Sequence, residues 1–118
     1  MAMRIAVSST GGGMEGEVSE HFGRCPEFVI VESKGVKIIK MERVDNPYFQ
    51  NHTPGAVPQF ISSLGVNLMI TGGMGPRAIE MFKSLGIDVI FGVGGRIGDV
   101  VERYLKGELQ PDENICEH

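Results

Sequence analysis

The stretch that most constrains this chain is VNLMITGGMGPRAIEMFKSLGIDVIFGVGG, residues 66–95. Its opening, over 66–73, is apolar and reads as a strand. GPRAIEMFKSLG, over 75–86, places Ala78, Ile79, Phe82 and Leu85 at helical spacing, and IDVIFGVGG, over 87–95, reads as another strand. Strand, helix and strand in about 30 residues form the unit that lays two parallel strands side by side through a right-handed crossover. A chain built around such a unit is committed to an α/β sheet with helices packed on it.

The remaining segments extend that sheet. MRIAVSS (3–9) is a short run rich in β-branched residues, followed by the Gly-rich loop TGGGMEGEVSE. EFVIVES (27–33) and VKIIKMERV (36–44), separated by Lys34-Gly35, predict an antiparallel hairpin. Beyond a second polar loop, DNPYFQNHTPG, residues Val57, Phe60, Ile61 and Leu64 form a helical stripe, with Thr53 as its cap and Pro54 at its first position. RIGDVVERYLKG (96–107) aligns Ile97, Val100, Val101, Tyr104 and Leu105 on one face of a last helix, and Gly86 and Gly107 stand where helices end. The order is βββαβαβα. It predicts a single three-layer α/β domain over 1–118, with a core at 3–109 and a flexible tail at 110–118. The expected sheet is mixed and five-stranded, in order 3-2-1-4-5 with strand two antiparallel and helices on both faces, the ribonuclease H-like arrangement.

Composition narrows the partners. A chain of 118 residues is long enough to bury roughly two thirds of its unfolded surface without a metal or disulfide. No apolar run approaches the roughly 20 residues of a membrane-spanning helix, and Met-Ala-Met lacks the basic and apolar regions of a secretory signal, so a cytoplasmic location is expected. A formal charge of −4, a pI near 5.3 and no dense Lys/Arg stripe argue against nucleic acid as a partner. In that setting Cys25 and Cys116 are expected as reduced thiols.

The predicted topology gathers chemistry at one edge. Strands one, four and five end there, strand two begins there, and strand three ends there, so five loops converge where open α/β sheets usually bind ligands. Two of them, GGMGPR and GVGGRIG, run directly into helix starts, whose free N–H groups favour an anion. Gly72, Gly73 and Gly75 in one, with Gly94 and Gly95 in the other, let backbone approach a ligand closely. Arg77 and Arg96 in the first helical turns oppose the dipole unless an anion offsets them. Neither loop matches a nucleotide-binding fingerprint, and Gly-rich strand-to-helix turns also occur without any ligand.

SEHFGRCPEF (19–28) brings His21, Arg24 and Cys25 to the same edge. His21 and Cys25, four apart, can chelate a soft or borderline metal through imidazole and thiolate if the segment is a turn. Alternatively, Cys25-Pro26 simply starts a strand with a buried thiol. His52 is either a third donor or a solvated loop histidine. Cys116 and His118 are further donors if the tail turns back, since the 11 residues after Gly107 span about 35 Å when extended. Met14 and Met74 supply soft contacts or fill gaps.

With these motifs assembled, the sequence resembles the dinitrogenase iron-molybdenum cofactor biosynthesis family, the NifX-like proteins and the similar C-terminal domain of NifB. The carrying features are MRIAVSS, the His-Phe-Gly-Arg core of SEHFGRCPEF, NHTPG, the long stretch VNLMITGGMGPRAIEMFKSLGIDVI, and GDVVERYLKGEL. The resemblance implies a ribonuclease H-like fold and the binding or delivery of an iron-sulfur or iron-molybdenum cluster during metallocofactor assembly, with cluster donor and acceptor proteins as partners. It carries His21 over as a cluster ligand or contact and Arg24 as a counter-charge to an anionic cluster; Cys25 is not part of the pattern.

Three readings follow. The first is a non-catalytic metallocluster carrier with Arg24, Arg77 and Arg96 as counter-charge and His21, Cys25 and His52 as ligands. The second is a small enzyme, with His21 and Cys25 as a nucleophile pair. A two-metal nuclease is disfavoured, because Arg-Ile-Ala-Val-Ser offers no carboxylate at the centre of strand one. The third is a protein-interaction module whose basin holds no metal.

Overall fold

The computed structural model describes residues 2–49 and 55–109. Five strands, β1 (Met3–Ser9), β2 (Glu27–Lys34), β3 (Lys37–Asp45), β4 (Leu68–Ile70) and β5 (Asp88–Ile90), form one open sheet in the order β3-β2-β1-β4-β5. β2 is antiparallel to both β1 and β3, whereas β1, β4 and β5 run parallel. The three helices are α1 (Ala56–Ser63), α2 (Pro76–Ser84) and α3 (Ile97–Leu105). The expected sheet order and layering are thus present. α1 starts later than expected, with Gly55 at φ 82° as its N-cap in place of Thr53; Thr53, Pro54 and the tail 110–118 themselves lie outside the described residues.

Strict alternation along the strands divides the core in two. Ala6, Phe28, Ile30, Met69 and Val89 face α1 and α2 and pack with Val57, Ile61 and Phe82. Ile5, Val7, Val29, Val31, Leu68 and Ile70 face the opposite way and pack with Ile97, Val100 and Val101 of α3. Both helix ends expected at glycine have it in the left-handed region, with φ 76° at Gly86 and 81° at Gly107, and each amide N–H bonds back into the last turn.

Two parallel strands are shorter than their apolar runs, 68–70 against 66–73 and 88–90 against 87–95. At the carboxyl end of β4 the cause is another piece of chain. Beyond Val7 and Ile70, β1 and β4 stop pairing with each other and pair with Ser19: its N–H donates to the Ser8 carbonyl at 2.9 Å, and its carbonyl accepts from Gly72 N–H at 2.9 Å. The Ser8 and Thr71 hydroxyls, both fully buried, bond each other across the same gap at 2.8 Å. The Gly-rich first loop therefore folds back into the sheet edge instead of standing off it.

A buried carboxylate holds that loop down. Glu27 sits at the start of β2 on the same face as Val29 and Val31, and accepts from Ser9 Oγ at 2.7 Å, Gly13 N–H at 2.9 Å and Arg43 Nε at 2.9 Å. Burial pushes its pKa up, but the hydrogen bonds from Ser9, Arg43 and Gly13, with the Arg43 charge, outweigh that and hold it below its ordinary value. A carboxylate whose folded pKa lies below the unfolded one contributes stability that is complete above the unfolded pKa. That contribution is lost as pH falls through the lowered, folded value. Glu27→Gln is accordingly expected to cost about 1.5–3 kcal/mol near neutral pH, measured by urea unfolding, and the gap from the natural protein should narrow as the titration is repeated at progressively lower, acidic pH.

Candidate functional site

Residues 18–25 build the site. After Ser19 has entered the sheet edge, the chain makes a short helical turn, Phe22–Arg24, and Phe22 N–H donates to the Gly73 carbonyl at 3.2 Å. Phe22 is the anchor: it is buried against Phe82 in an edge-on contact at 5.3 Å and against Phe28 at 6.1 Å. With Phe22 pointing inward, its neighbours His21 and Arg24 are left exposed on either side.

This crossing explains Gly72 and Gly73. A Cβ on Gly73 would stand 2.5 Å from the Glu20 carbonyl oxygen, and one on Gly72 would stand 2.8 Å from the Ser19 carbonyl oxygen. Both glycines are needed for the chain's own close approach, and the Gly72 N–H is already used by Ser19. Gly75 has open space around it and no such requirement.

The crossing also splits the expected basin into two depressions, with Glu20 and His21 on the ridge between them. The larger, about 920 Å³, lies between the Phe22–Arg24 turn and the start of α2. Phe22, Val57, Pro58, Met74 and Met81 form its apolar walls, and Arg24 and Arg77 bring two guanidinium groups to it. The smaller, about 560 Å³, is lined by Thr10, Glu17, Val93, Gly94 and Gly95.

The two helix starts at this edge differ. α2 begins at Gly75 with no side-chain cap, Pro76 contributes no N–H, and Arg77 and Ala78 of its first turn line the larger depression. Neither Arg24 nor Arg77 forms an ion pair with a described residue. α3, by contrast, is closed by its own chain: Ile97 N–H donates to the Gly16 carbonyl at 2.9 Å. Arg96 bonds Glu15 and Asp99, both at 2.9 Å, and its guanidinium lies beside Gly98. Of the three arginines expected as counter-charge, Arg24 and Arg77 share one groove, while the charge of Arg96 is matched by two carboxylates outside it.

Cys25 is placed apart from the groove as well. It is fully buried in the core under α1 and α2, and its Sγ donates to the Phe22 carbonyl at 3.4 Å. Burial pushes the thiol up to about 11, with the Glu27 charge adding to the rise, against opposing hydrogen bonds from the Ser9 and Cys25 backbone and the Asn46 side chain. A thiol held there is protonated at neutral pH and packs as a small apolar group. His21 lies on the ridge and Met74 lines the larger groove, whereas Met14 packs against the α3 core. His52, Cys116 and His118 fall outside the described residues. Among the described residues no cluster of three His, Cys, Asp or Glu is arranged to hold a metal ion, and no helix is long and apolar enough to cross a membrane.

Sequence reasoning passed over Phe22 and Glu27. Glu27 left a readable signal: an acid on the inward parity of Glu27, Val29 and Val31 demands a partner, and Arg43 is its near neighbour across the hairpin.

Comparison with known proteins places this geometry. A family described as "Dinitrogenase iron-molybdenum cofactor" matches residues 1–107. An uncharacterized protein of Methanocaldococcus jannaschii, MJ0580, is 36% identical over 98 residues, covering 81% of this chain and 83% of the relative. The crystal structure of PH0822 superposes with a TM-score of 0.83 at 40% identity, covering 95% of this chain and 97% of that one. The apo form of the orange protein from Desulfovibrio gigas gives a TM-score of 0.84 at 31% identity, covering 94% and 93%.

The crossing makes a direct prediction. Gly73→Ala has to displace backbone and is expected to cost more than about 2 kcal/mol, whereas Gly75→Ala, in open space, is expected to cost less than about 1 kcal/mol; chemical denaturation of both variants checks the contrast.

Proposed function

Because the chain belongs to the dinitrogenase iron-molybdenum cofactor family, we propose that it carries an anionic iron-sulfur or iron-molybdenum-type cluster as cargo in the groove between the Phe22–Arg24 turn and α2. In this reading it receives the cluster from a donor protein and releases it to an acceptor during metallocofactor assembly. The observation that supports the reading is the pairing of two guanidinium groups, Arg24 and Arg77, on one apolar-walled groove beside an uncapped helix start.

Each part has a role toward such a cargo. A cluster whose own sulfides complete its metal coordination needs no protein ligand set of three or more. It needs counter-charge, N–H donors for its sulfides, and walls that exclude water. Arg24 and Arg77 supply the charge, and the first-turn N–H groups of Arg77 and Ala78 with the α2 dipole supply donors. Phe22, Val57, Pro58, Met74 and Met81 supply apolar walls. His21, exposed on the ridge, is the one described imidazole able to ligate a metal at the cargo's surface. One ligand makes for an exchangeable hold, which suits a carrier. Cys25 supports the core under this site and takes no part in ligation.

Anaerobic reconstitution with iron, sulfide and molybdate, followed by desalting, metal analysis and visible absorption, tests the proposal. The natural protein is expected to retain metal and gain a chromophore. Retained metal should fall about tenfold for each arginine lost in Arg24→Ala and Arg77→Ala, fall in His21→Ala, and stay unchanged in a folded Cys25→Ser. Equal retention by the double arginine variant, or retention that instead follows Cys116→Ser and His118→Ala, would contradict it.

A further inference from the structure

The side of the sheet formed by β3 contributes no residue to the groove beside α2. β3 is an edge strand, and beyond it no other strand or helix is placed among the described residues. Most of its side chains are exposed, and three apolar ones on or beside it are strongly so: Val36 at 72%, Ile39 at 51% and Met41 at 41%. Unpaired edges invite pairing, and natural proteins commonly blunt them with lysines and bulges. β3 has Lys37 and Lys40, and a register irregularity opposite Glu32 and Ser33. Lysines alone would repel any second strand, but here they are only half of the pattern.

Charge along Lys37–Asp45 is ordered by sign. The first half carries Lys37 and Lys40 and the second half Glu42 and Asp45; Arg43 is held by Glu27 at 2.8 Å, and Glu42, about half exposed, also has the Arg4 guanidinium at 3.5 Å. A strand with this gradient complements itself only when reversed. Pairing two copies antiparallel about Met41 sets Lys40 against Glu42 of the second copy twice and sets Met41 against Met41. In a parallel arrangement the like charges would align. The faces agree too: Lys40 and Glu42 share one face of the strand, while Met41, opposite Val31, lies on the α3 side.

We propose that β3 is a self-association edge, and that two copies of this chain join antiparallel through Lys40–Met41–Glu42 into one continuous ten-stranded sheet. A two-fold axis perpendicular to the sheet keeps α1 and α2 of both copies on the same side. It also points the two carboxyl edges in opposite directions, so each copy's groove stays open. One strand pair buries less than a standard interface, and the association is correspondingly weak, with dissociation in the range of roughly 10 µM to 1 mM.

Sedimentation velocity and light scattering across that concentration range test it. The natural protein is expected to shift from monomer toward dimer, with weaker association at high salt. Lys40→Glu sets glutamate against glutamate and should raise the dissociation constant at least about tenfold. The double exchange Lys40→Glu with Glu42→Lys recreates both opposite-charge pairs in the same register and should restore the dimer. Circular dichroism and thermal melting confirm that each variant is folded. As a second probe that leaves these charges alone, Met41→Cys in a Cys116→Ser background should form a disulfide-linked dimer on mild oxidation, and do so faster than Ile39→Cys. A protein that stays monomeric throughout, including one whose edge is covered by its own tail, would overturn the proposal. So would a dimer unaffected by Lys40→Glu, a double exchange that fails to rescue, or cross-linking no faster at position 41 than at 39.

Discussion

β1 and β4 are parallel neighbours that would ordinarily leave a crevice between their carboxyl ends. In this chain Ser19 fills it, taking the Ser8 carbonyl on one side and the Gly72 N–H on the other. The buried hydroxyls of Ser8 and Thr71 bond across the same gap. Much else at this edge follows from that insertion. It ends the parallel ladder after three residues, requires glycine at 72 and 73 where the crossing chain passes over, and aims Phe22 into the core with His21 and Arg24 on either side. A site in such a protein cannot sit over the middle of the sheet, because its own backbone is there. The larger depression lies to one side, against α2.

The same insertion separates two helix starts that look equivalent as strings of letters. Both GGMGPR and GVGGRIG are glycine-rich and carry an arginine, yet α3 is occupied by Gly16 and its arginine by Glu15 and Asp99, while α2 remains uncapped with Arg77 free of any described carboxylate. The first loop returns past α3 on its way to the sheet edge, so that helix is closed by its own chain. The electrostatics of the edge are therefore lopsided in favour of the groove that holds Arg24 and Arg77.

How far the sequence could be read depends on the range of each interaction. Short apolar runs rich in β-branched residues, the stripes Val57–Ile61 and Ile97–Val101, and the glycines at 86 and 107 are local signals, and the strand order followed from them with the handedness rule. The Gly72-Gly73 pair could not be resolved locally. Glycine permits close approach by a ligand or by another segment of chain, and only the long-range pairing with Ser19 and Glu20 decides between them. Cys25 was equally ambiguous, because the helical turn at Phe22–Arg24 sets which neighbours face inward, and a three-residue turn leaves no periodicity to read. Arg96 needed knowledge that Glu15, 81 residues earlier, lies beside it.

If one groove, and not the whole edge, receives an anionic metal-sulfur species, a soluble thiometallate should bind there alone. Titrating the isotopically labelled protein with tetrathiomolybdate under anaerobic conditions, followed by amide NMR, tests it most directly. Saturable shifts are expected, confined to residues 20–24 and 73–78 and lost in the Arg24→Ala, Arg77→Ala double variant. Shifts centred on the 92–96 turn, or none at concentrations where the probe is in excess, would contradict it.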